Sequence, residues 1–283
     1  MFGVFTWDPA REMFSFPLPL LDRPILWYGF FFALGFFLGY CFLVYLLTRY
    51  FLYQSLLKNE AKKQAKVLAE KILVYTAVGA VLGARLVDVV FYQDLSDVYR
   101  DPLSVIKVWQ GGLASHGGVI GAIIGLFFFY HKRKVGLQGL SFLGVLDLVS
   151  IPGCLIGSLI RIGNFFNQEI LGLCTKVSWG VLFGHPVDGS LPCPRHPVQL
   201  YESVFYLVSF FVLWKAWYLY RSRQGTIFAL CLMGVFSFRF LIEFFKEEQS
   251  VQIVSSFLTM GQWLSLPVIL LGVFLFFYRR KHR

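Results

Sequence analysis

Seven apolar runs divide this chain: Pro24–Leu47, Ile72–Tyr92, Leu113–Tyr130, Leu140–Ile160, Ser203–Tyr220, Thr226–Phe245 and Leu264–Tyr278. A helix needs about 20 apolar residues to cross ~30 Å of hydrocarbon, and most of the runs reach that length. The last is short unless it borrows from Val251 onward. Lipid satisfies no backbone N–H or C=O, so helices are the spanning form such a pattern demands. Only 15% of residues are charged and 57% are hydrophobic, whereas a soluble domain carries about 25% charged residues. The charge needed to coat a soluble core is missing. The expected fold is an all-α integral membrane protein with about seven transmembrane helices.

A net charge of +10 invites a nucleic-acid partner, but its placement argues for topology. Lys and Arg number six in 48–71, three in 131–139, two in 221–225 and four in 279–283. The alternate segments hold two each in 1–23, 93–112 and 162–202, and one in 246–263. The positive-inside rule then places the N-terminus outside and the C-terminus in the cytoplasm, as an odd number of spans requires. The predicted organisation is an external N-terminal segment at 1–23, transmembrane helices 1–4 within 24–160, a small external head segment at 161–202, and helices 5–7 with a basic cytoplasmic tail within 203–283. Lys58–Lys71 alternates Lys, Ala and Glu and is expected as a cytoplasmic amphipathic helix on the membrane surface. The first 23 residues carry Asp8, Glu12 and clustered prolines without a basic start, unlike a cleavable signal peptide. No internal repeat is visible, which weakens a transporter reading.

Of five cysteines, Cys41, Cys154 and Cys231 fall in apolar runs as core residues, and none shows metal-ligand spacing. Cys174 and Cys193 fall in 162–202, where a disulfide would persist outside the cytoplasm. A disulfide and two free thiols fit the sequence equally.

Ionisable groups inside lipid are costly and point to function. Arg85 and Asp88 share a helix face at i,i+3, and an internal ion pair beside Gly79 and Gly83 is the favoured reading. Asp147 and Lys215 suit a buried partner and a snorkelling side chain, without an assigned role. His116 stands at the start of the third run, where Gly117, Gly121 and Gly125 let a neighbouring helix approach closely. An incidental interfacial histidine and an imidazole that moves a proton near neutral pH fit these residues equally.

The sharpest stretch is Arg161-Ile162-Gly163-Asn164-Phe165-Phe166-Asn167-Gln168-Glu169. Arg161 and Asn164 share a face if the helix continues, and Asn167 and Glu169 follow in a predicted turn. A polar helix end meeting the headgroups is the plain reading. The functional reading is an anion site, with a guanidinium fork for phosphate, amides to orient it and a carboxylate to hold the fork. Arg239 and Glu243 lie at i,i+4 on the sixth run, where a self-neutralising ion pair competes with a second anion-binding arginine.

At these residues the chain resembles the prolipoprotein diacylglyceryl transferases of bacterial inner membranes. The Arg161–Glu169 stretch, His116-Gly117-Gly118, Trp27-Tyr28-Gly29, Arg195-His196-Pro197-Val198-Gln199-Leu200-Tyr201-Glu202, Arg239–Phe245 and Met260-Gly261-Gln262 follow the family's order over nearly the whole chain. Two departures stand out: Val235, where the family often has Tyr, and a segment 162–202 that is short for the family. The resemblance implies a seven-helix fold and transfer of the diacylglyceryl group of phosphatidylglycerol to the lipobox cysteine of preprolipoproteins, with glycerol phosphate released. It also implies activity-linked positions at Tyr28, His116, Arg161, Asn164, Glu169, Arg239 and Glu243, and partners comprising phosphatidylglycerol, preprolipoprotein signal peptides and the bilayer, with no nucleic acid.

That chemistry suits the residues. A thiolate must displace a phosphate ester oxygen from carbon, and donors aimed at the growing phosphate charge lower the barrier. Arg161 and Arg239 offer permanently charged planar forks. His116 is the first candidate base for the thiol, with Glu243 second. No cofactor is expected, since no metal cluster or nucleotide motif is present. The rival classes are a carrier that binds anionic lipid without chemistry and a structural membrane subunit. The missing repeat counts against the first, and the polar density at one boundary against the second.

Overall fold

The computed structural model describes residues 4–14, 24–91, 115–133, 137–190, 192–247 and 258–281. Its helices are α1 (Trp27–Tyr53), α2 (Lys58–Phe91), α3 (Ser115–Arg133), α4 (Phe142–Phe166), α5 (Val198–Tyr220), α6 (Thr226–Ile242) and α7 (Met260–Lys281). Among the described residues six helices are long and apolar enough to cross a bilayer: Trp27–Tyr53, Lys58–Val90, Phe142–Phe166, Val198–Tyr220, Thr226–Phe245 and Met260–Tyr278. The seventh apolar stretch, Gly117–Lys132, is shorter, and Leu113 and Ala114, expected to begin it, lie outside the described residues. The chain is a multi-pass membrane protein. The last span begins at Met260, so it does take residues ahead of Leu264 from the stretch that follows Val251.

The described residues fall into two compact units, Phe42–Val145 and Met1–Cys41 with Leu146–Arg283. In the first, α2 runs unbroken for 34 residues. The helix expected at 58–71 is present and runs without a break into the apolar part of α2. Residues 58–75 contain no Gly or Pro, and good helix formers have no reason to stop there. Buried Ala61, Ala65, Leu68 and Ala69 lead directly into Ile72. Further along, α2 crosses α3 at the expected glycines. A Cβ on Gly83 would stand 2.7 Å from the Gly121 Cα, and one on Gly121 would stand 2.8 Å from the Gly83 Cα. Only bare glycines allow so close a crossing. Arg85 and Asp88 form the favoured ion pair, buried at 3.2 Å.

In the second unit, α4 and α5 are joined by a hydrogen bond between the Ser158 and Ser203 hydroxyls at 3.0 Å. Phe205 of α5 stacks on Phe238 of α6 with ring centroids 3.9 Å apart. Asp147 gains a role here. Its carboxylate accepts the N–H groups of Gly225 at 2.6 Å and Phe228 at 2.7 Å. It thereby satisfies donors that the first turn of α6 leaves without intrahelical partners, and its charge suits that positive helix end. Cys154 and Cys231 meet in the core with sulfurs 3.9 Å apart.

Among the described residues the fold is helical, as expected, apart from a small sheet that the segment between α4 and α5 helps to build. Phe5–Trp7 (β1), Val181–Phe183 (β2) and Pro194–Arg195 (β3) form a small sheet, with β1 parallel and β3 antiparallel to β2. Prolines at 186, 192, 194 and 197 forbid a helix, so the backbone groups pair between strands instead. Phe165, Leu171, Val181 and Phe183 make a buried cluster under this sheet, with Trp7 packed on it. The Trp7 indole N–H also donates to the Phe165 carbonyl at 3.1 Å, which ties the start of the chain to the end of α4. Cys174 and Cys193 are disulfide-bonded, the first of the two alternatives the sequence allowed.

Candidate active site

The site grows from the end of α4. The helix continues six residues past the expected boundary at Ile160, so Arg161 and Asn164 lie one turn apart. The Arg161 Nη1 donates to Asn164 Oδ1 at 3.2 Å. Asn164, only 4% exposed, donates in turn to Glu169 Oε1 at 2.8 Å, joined by Asn167 at 3.4 Å. The chain turns here as expected, with positive φ at Gln168 (53°) and Ile170 (58°). Two asparagines thus fix the Glu169 carboxylate, and the Gln199 amide fixes its backbone carbonyl at 2.8 Å.

Glu169 was expected to hold the guanidinium. The structure gives that task to Glu202. Its Oε2 lies 2.9 Å from Arg161 Nε in an ion pair, and its Oε1 accepts from Arg161 Nη2 at 3.4 Å. Glu202 sits on the second turn of α5, directed at α4, with no exposed surface. Lys246 Nζ donates to the same Oε1 at 2.8 Å. Burial pushes the Lys246 pKa down, and Glu202 beside it pulls the other way. One buried carboxylate therefore lies between two cations.

Arg239 and Glu243 do not form the self-neutralising pair that i,i+4 spacing suggested. The Glu243 N–H keeps its helical bond to the Arg239 carbonyl, and a 3-10 turn over Glu243–Phe245 follows. Among the described residues, Arg239 has no ion pair, and Glu243 Oε2 is buried without a hydrogen-bond partner. The Glu243 carboxylate lies against Gly261, where an added Cβ would stand 2.5 Å from Oε1. The Met260-Gly261-Gln262 motif is thus a glycine seat at the start of α7. Gln262 and Thr259 cap that helix start reciprocally, at 3.0 and 3.3 Å.

Tyr28 packs on α4 at Gly163, where an added Cβ would stand 3.1 Å from its ring. There it feels the charges of Glu169 and Arg161. Tyr206 of α5 lies within electrostatic reach of Glu202, Arg161 and Arg239 together. Tyr28, Arg161, Asn164 and Glu169 therefore form one neighbourhood, and Tyr206 connects Arg161 electrostatically with Arg239. His116 lies in the first turn of α3, with its side chain outside the described residues.

Glu202, Lys246 and Tyr206 are the residues that sequence reasoning passed over. Glu202 had a signal, as a carboxylate just before an apolar run within Arg195–Glu202. Lys246 had a weaker one, as the lone Lys or Arg in 246–263. Tyr206 had none, being one of 14 tyrosines in an aromatic chain.

The arrangement holds a guanidinium and an ammonium group on one buried carboxylate, with little of either cation exposed. A sequence model of the prolipoprotein diacylglyceryl transferase family matches residues 17–278. The chain is 41% identical to the phosphatidylglycerol–prolipoprotein diacylglyceryl transferase of Chloroherpeton thalassium, over 97% of this chain and 94% of that protein. It is 40% identical to the enzyme of the same name from Chlamydia trachomatis, over 94% and 95%. For the Protochlamydia amoebophila enzyme the identity is 35%, over 94% and 92%.

Proposed function

The chain belongs to the prolipoprotein diacylglyceryl transferase family, and we propose that the Arg161 network and Arg239 form its catalytic centre. The protein is a transferase: it moves the diacylglyceryl group of phosphatidylglycerol to the cysteine thiol of prolipoproteins. The sulfur attacks the glyceryl carbon, a C–S bond forms, and the C–O bond to phosphate breaks. The phosphate oxygen keeps the electron pair, and glycerol phosphate leaves. Charge on the departing phosphate approaches ~ −2, so preorganised donors aimed at it lower the barrier.

Arg239 carries this reading, because a half-buried guanidinium with no carboxylate partner among the described residues is free to receive phosphate. Arg161 serves beside it, oriented by Asn164 and Glu202. Asn164, Glu169 and Tyr28 shape the binding site. The thiol has a pKa of ~8.5 and passes its proton to a base. His116 is the first candidate for that base, on the chemistry of imidazole. Glu243, whose buried Oε2 has no hydrogen-bond partner among the described residues, is the second.

The orientation belongs to the same proposal. The protein resides in the bacterial inner membrane with its N-terminus outside, its C-terminus in the cytoplasm and its active site on the periplasmic side. The uneven distribution of Lys and Arg supports this. So does the Cys174–Cys193 disulfide in the segment between α4 and α5, since disulfides persist in oxidising compartments.

The test uses detergent-purified protein, phosphatidylglycerol and a synthetic lipobox peptide. A diacylglyceryl thioether on the peptide, with stoichiometric glycerol phosphate, is the expected product. Lipid binding without any cleavage would favour the carrier reading instead.

A further inference from the structure

We infer that Lys246 is a positioning residue for the lipid phosphate: it supplies the positive charge that prevents the Arg161–Glu202 pair from neutralising itself. The inference rests on the transferase reading above and adds a residue to it.

The argument begins with Glu202, which is wholly buried. Arg161 presents Nε and Nη2 to its two oxygens, at 2.9 and 3.4 Å. An arginine closed on a carboxylate in this way carries no net charge to offer an anion. Lys246 changes the balance by placing Nζ 2.8 Å from Oε1. Two cations now share one carboxylate, and the triad is left with one positive charge. The field of that charge is felt strongly, because the Arg161 and Lys246 side chains are only 14% and 9% exposed and little water screens them.

The backbone shows that Lys246 is placed and not merely within reach. The Leu173 N–H donates to the Phe245 carbonyl at 2.8 Å, and the Glu247 N–H donates to the Leu171 carbonyl at 3.0 Å. Lys246 is held between these two bonds and bridges to Gly172. Residues 173 and 175 also bond to 196 and 194, so the ladder that seats Lys246 is continuous with the disulfide-closed segment. Charged neighbours complete the balance. Glu243 lies on the same turn, Glu202 and Arg161 face the ammonium from α5 and α4, and Arg195 and Glu247 close on each other next door.

A lysine in this role makes transfer sensitive to alkali. Burial lowers the pKa of Lys246, against the pull of Glu202. Raising the pH through that lowered value removes the proton and leaves the Arg161–Glu202 pair neutral. Transfer is therefore lost on the alkaline side, and an arginine, which stays charged, extends the active range upward.

The experiment compares full-length wild type, K246R, K246M and K246M/E202Q in detergent, measuring phosphatidylglycerol binding and transfer to a lipobox peptide across pH. K246M raises the KM for phosphatidylglycerol about tenfold to a hundredfold, the range for losing one charged partner. K246R keeps near wild-type transfer at neutral pH and moves the alkaline limb upward. K246M/E202Q removes the opposing carboxylate as well and recovers part of the lost affinity. Unchanged lipid affinity in K246M, an alkaline limb that K246R does not move, or no recovery in the double variant would each overturn the inference. Should K246M fail to fold, the K246R pH profile decides alone. Wild-type protein that binds the lipid but does not transfer it would overturn the transferase reading, whereas equal binding by wild type and K246M overturns the role of Lys246.

Discussion

Arg161 Nε lies 2.9 Å from Oε2 of Glu202, a carboxylate with no exposed surface. Arginine alone can serve Glu202 and Asn164 at once, because its planar fork offers five donors. Arg161→Lys keeps the charge but cannot make all three contacts. Transfer is expected to fall by about 10²–10³-fold, as when one donor to developing charge is removed from an oxyanion hole. Arg239→Lys should lose similar activity with less loss of melting temperature, since Arg239 has no ion pair among the described residues. Near wild-type transfer by both variants would remove the phosphate clamp.

The base is tested by pH. His116→Asn is expected to cut transfer more at pH 6.5 than at pH 9, because a base contributes roughly 10²–10⁴-fold and matters less once the thiol ionises unaided. Glu243→Gln is assayed alongside. If the His116 variant loses the same factor at both pH values while the Glu243 variant loses more at pH 6.5, the base is Glu243.

The Cys174–Cys193 bond closes a loop with a sequence separation of 19. Replacing both cysteines with Ser is expected to cost about 3 kcal/mol, the value expected for a loop of that size. Thermal unfolding with and without reductant measures it: the wild type should lose stability on reduction and the double variant should not respond.

Gly121 meets Gly83 where α2 crosses α3. Gly121→Leu puts a branched side chain where a single Cβ already overlaps backbone. The expected result is a loss of roughly 1–3 kcal/mol from overpacking. The melting temperature is the readout, with Gly118→Leu as control because a Cβ there would meet its nearest atom only at 3.6 Å.

Much of this protein is legible in its sequence because lipid imposes a simple rule. Apolar length and buried backbone hydrogen bonding leave the helix as the solution, and glycines at four-residue spacing announce a close helix crossing. The shared face of Arg161 and Asn164 could be read because α-helical periodicity places them one turn apart, and their side chains are hydrogen-bonded there. Contacts from outside the local helix could not be read in this way. No local pattern says that Glu202 would hold Arg161 in place of Glu169. That Arg239 and Glu243 would not pair was equally hidden, since the Glu243 carboxylate lies against Gly261 of α7, a neighbour no local pattern names.

The sequence by itself determined the membrane-spanning class, the apolar segments and the family. Each follows from composition, period or motif, which are properties of neighbouring residues. Only the tertiary structure decided how the charges are shared. The packing of α4, α5 and the segment after α6 brings Arg161, Glu202 and Lys246 together from positions up to 85 residues apart in the chain. A buried carboxylate must find its cations wherever packing puts them, because it has little water to turn to.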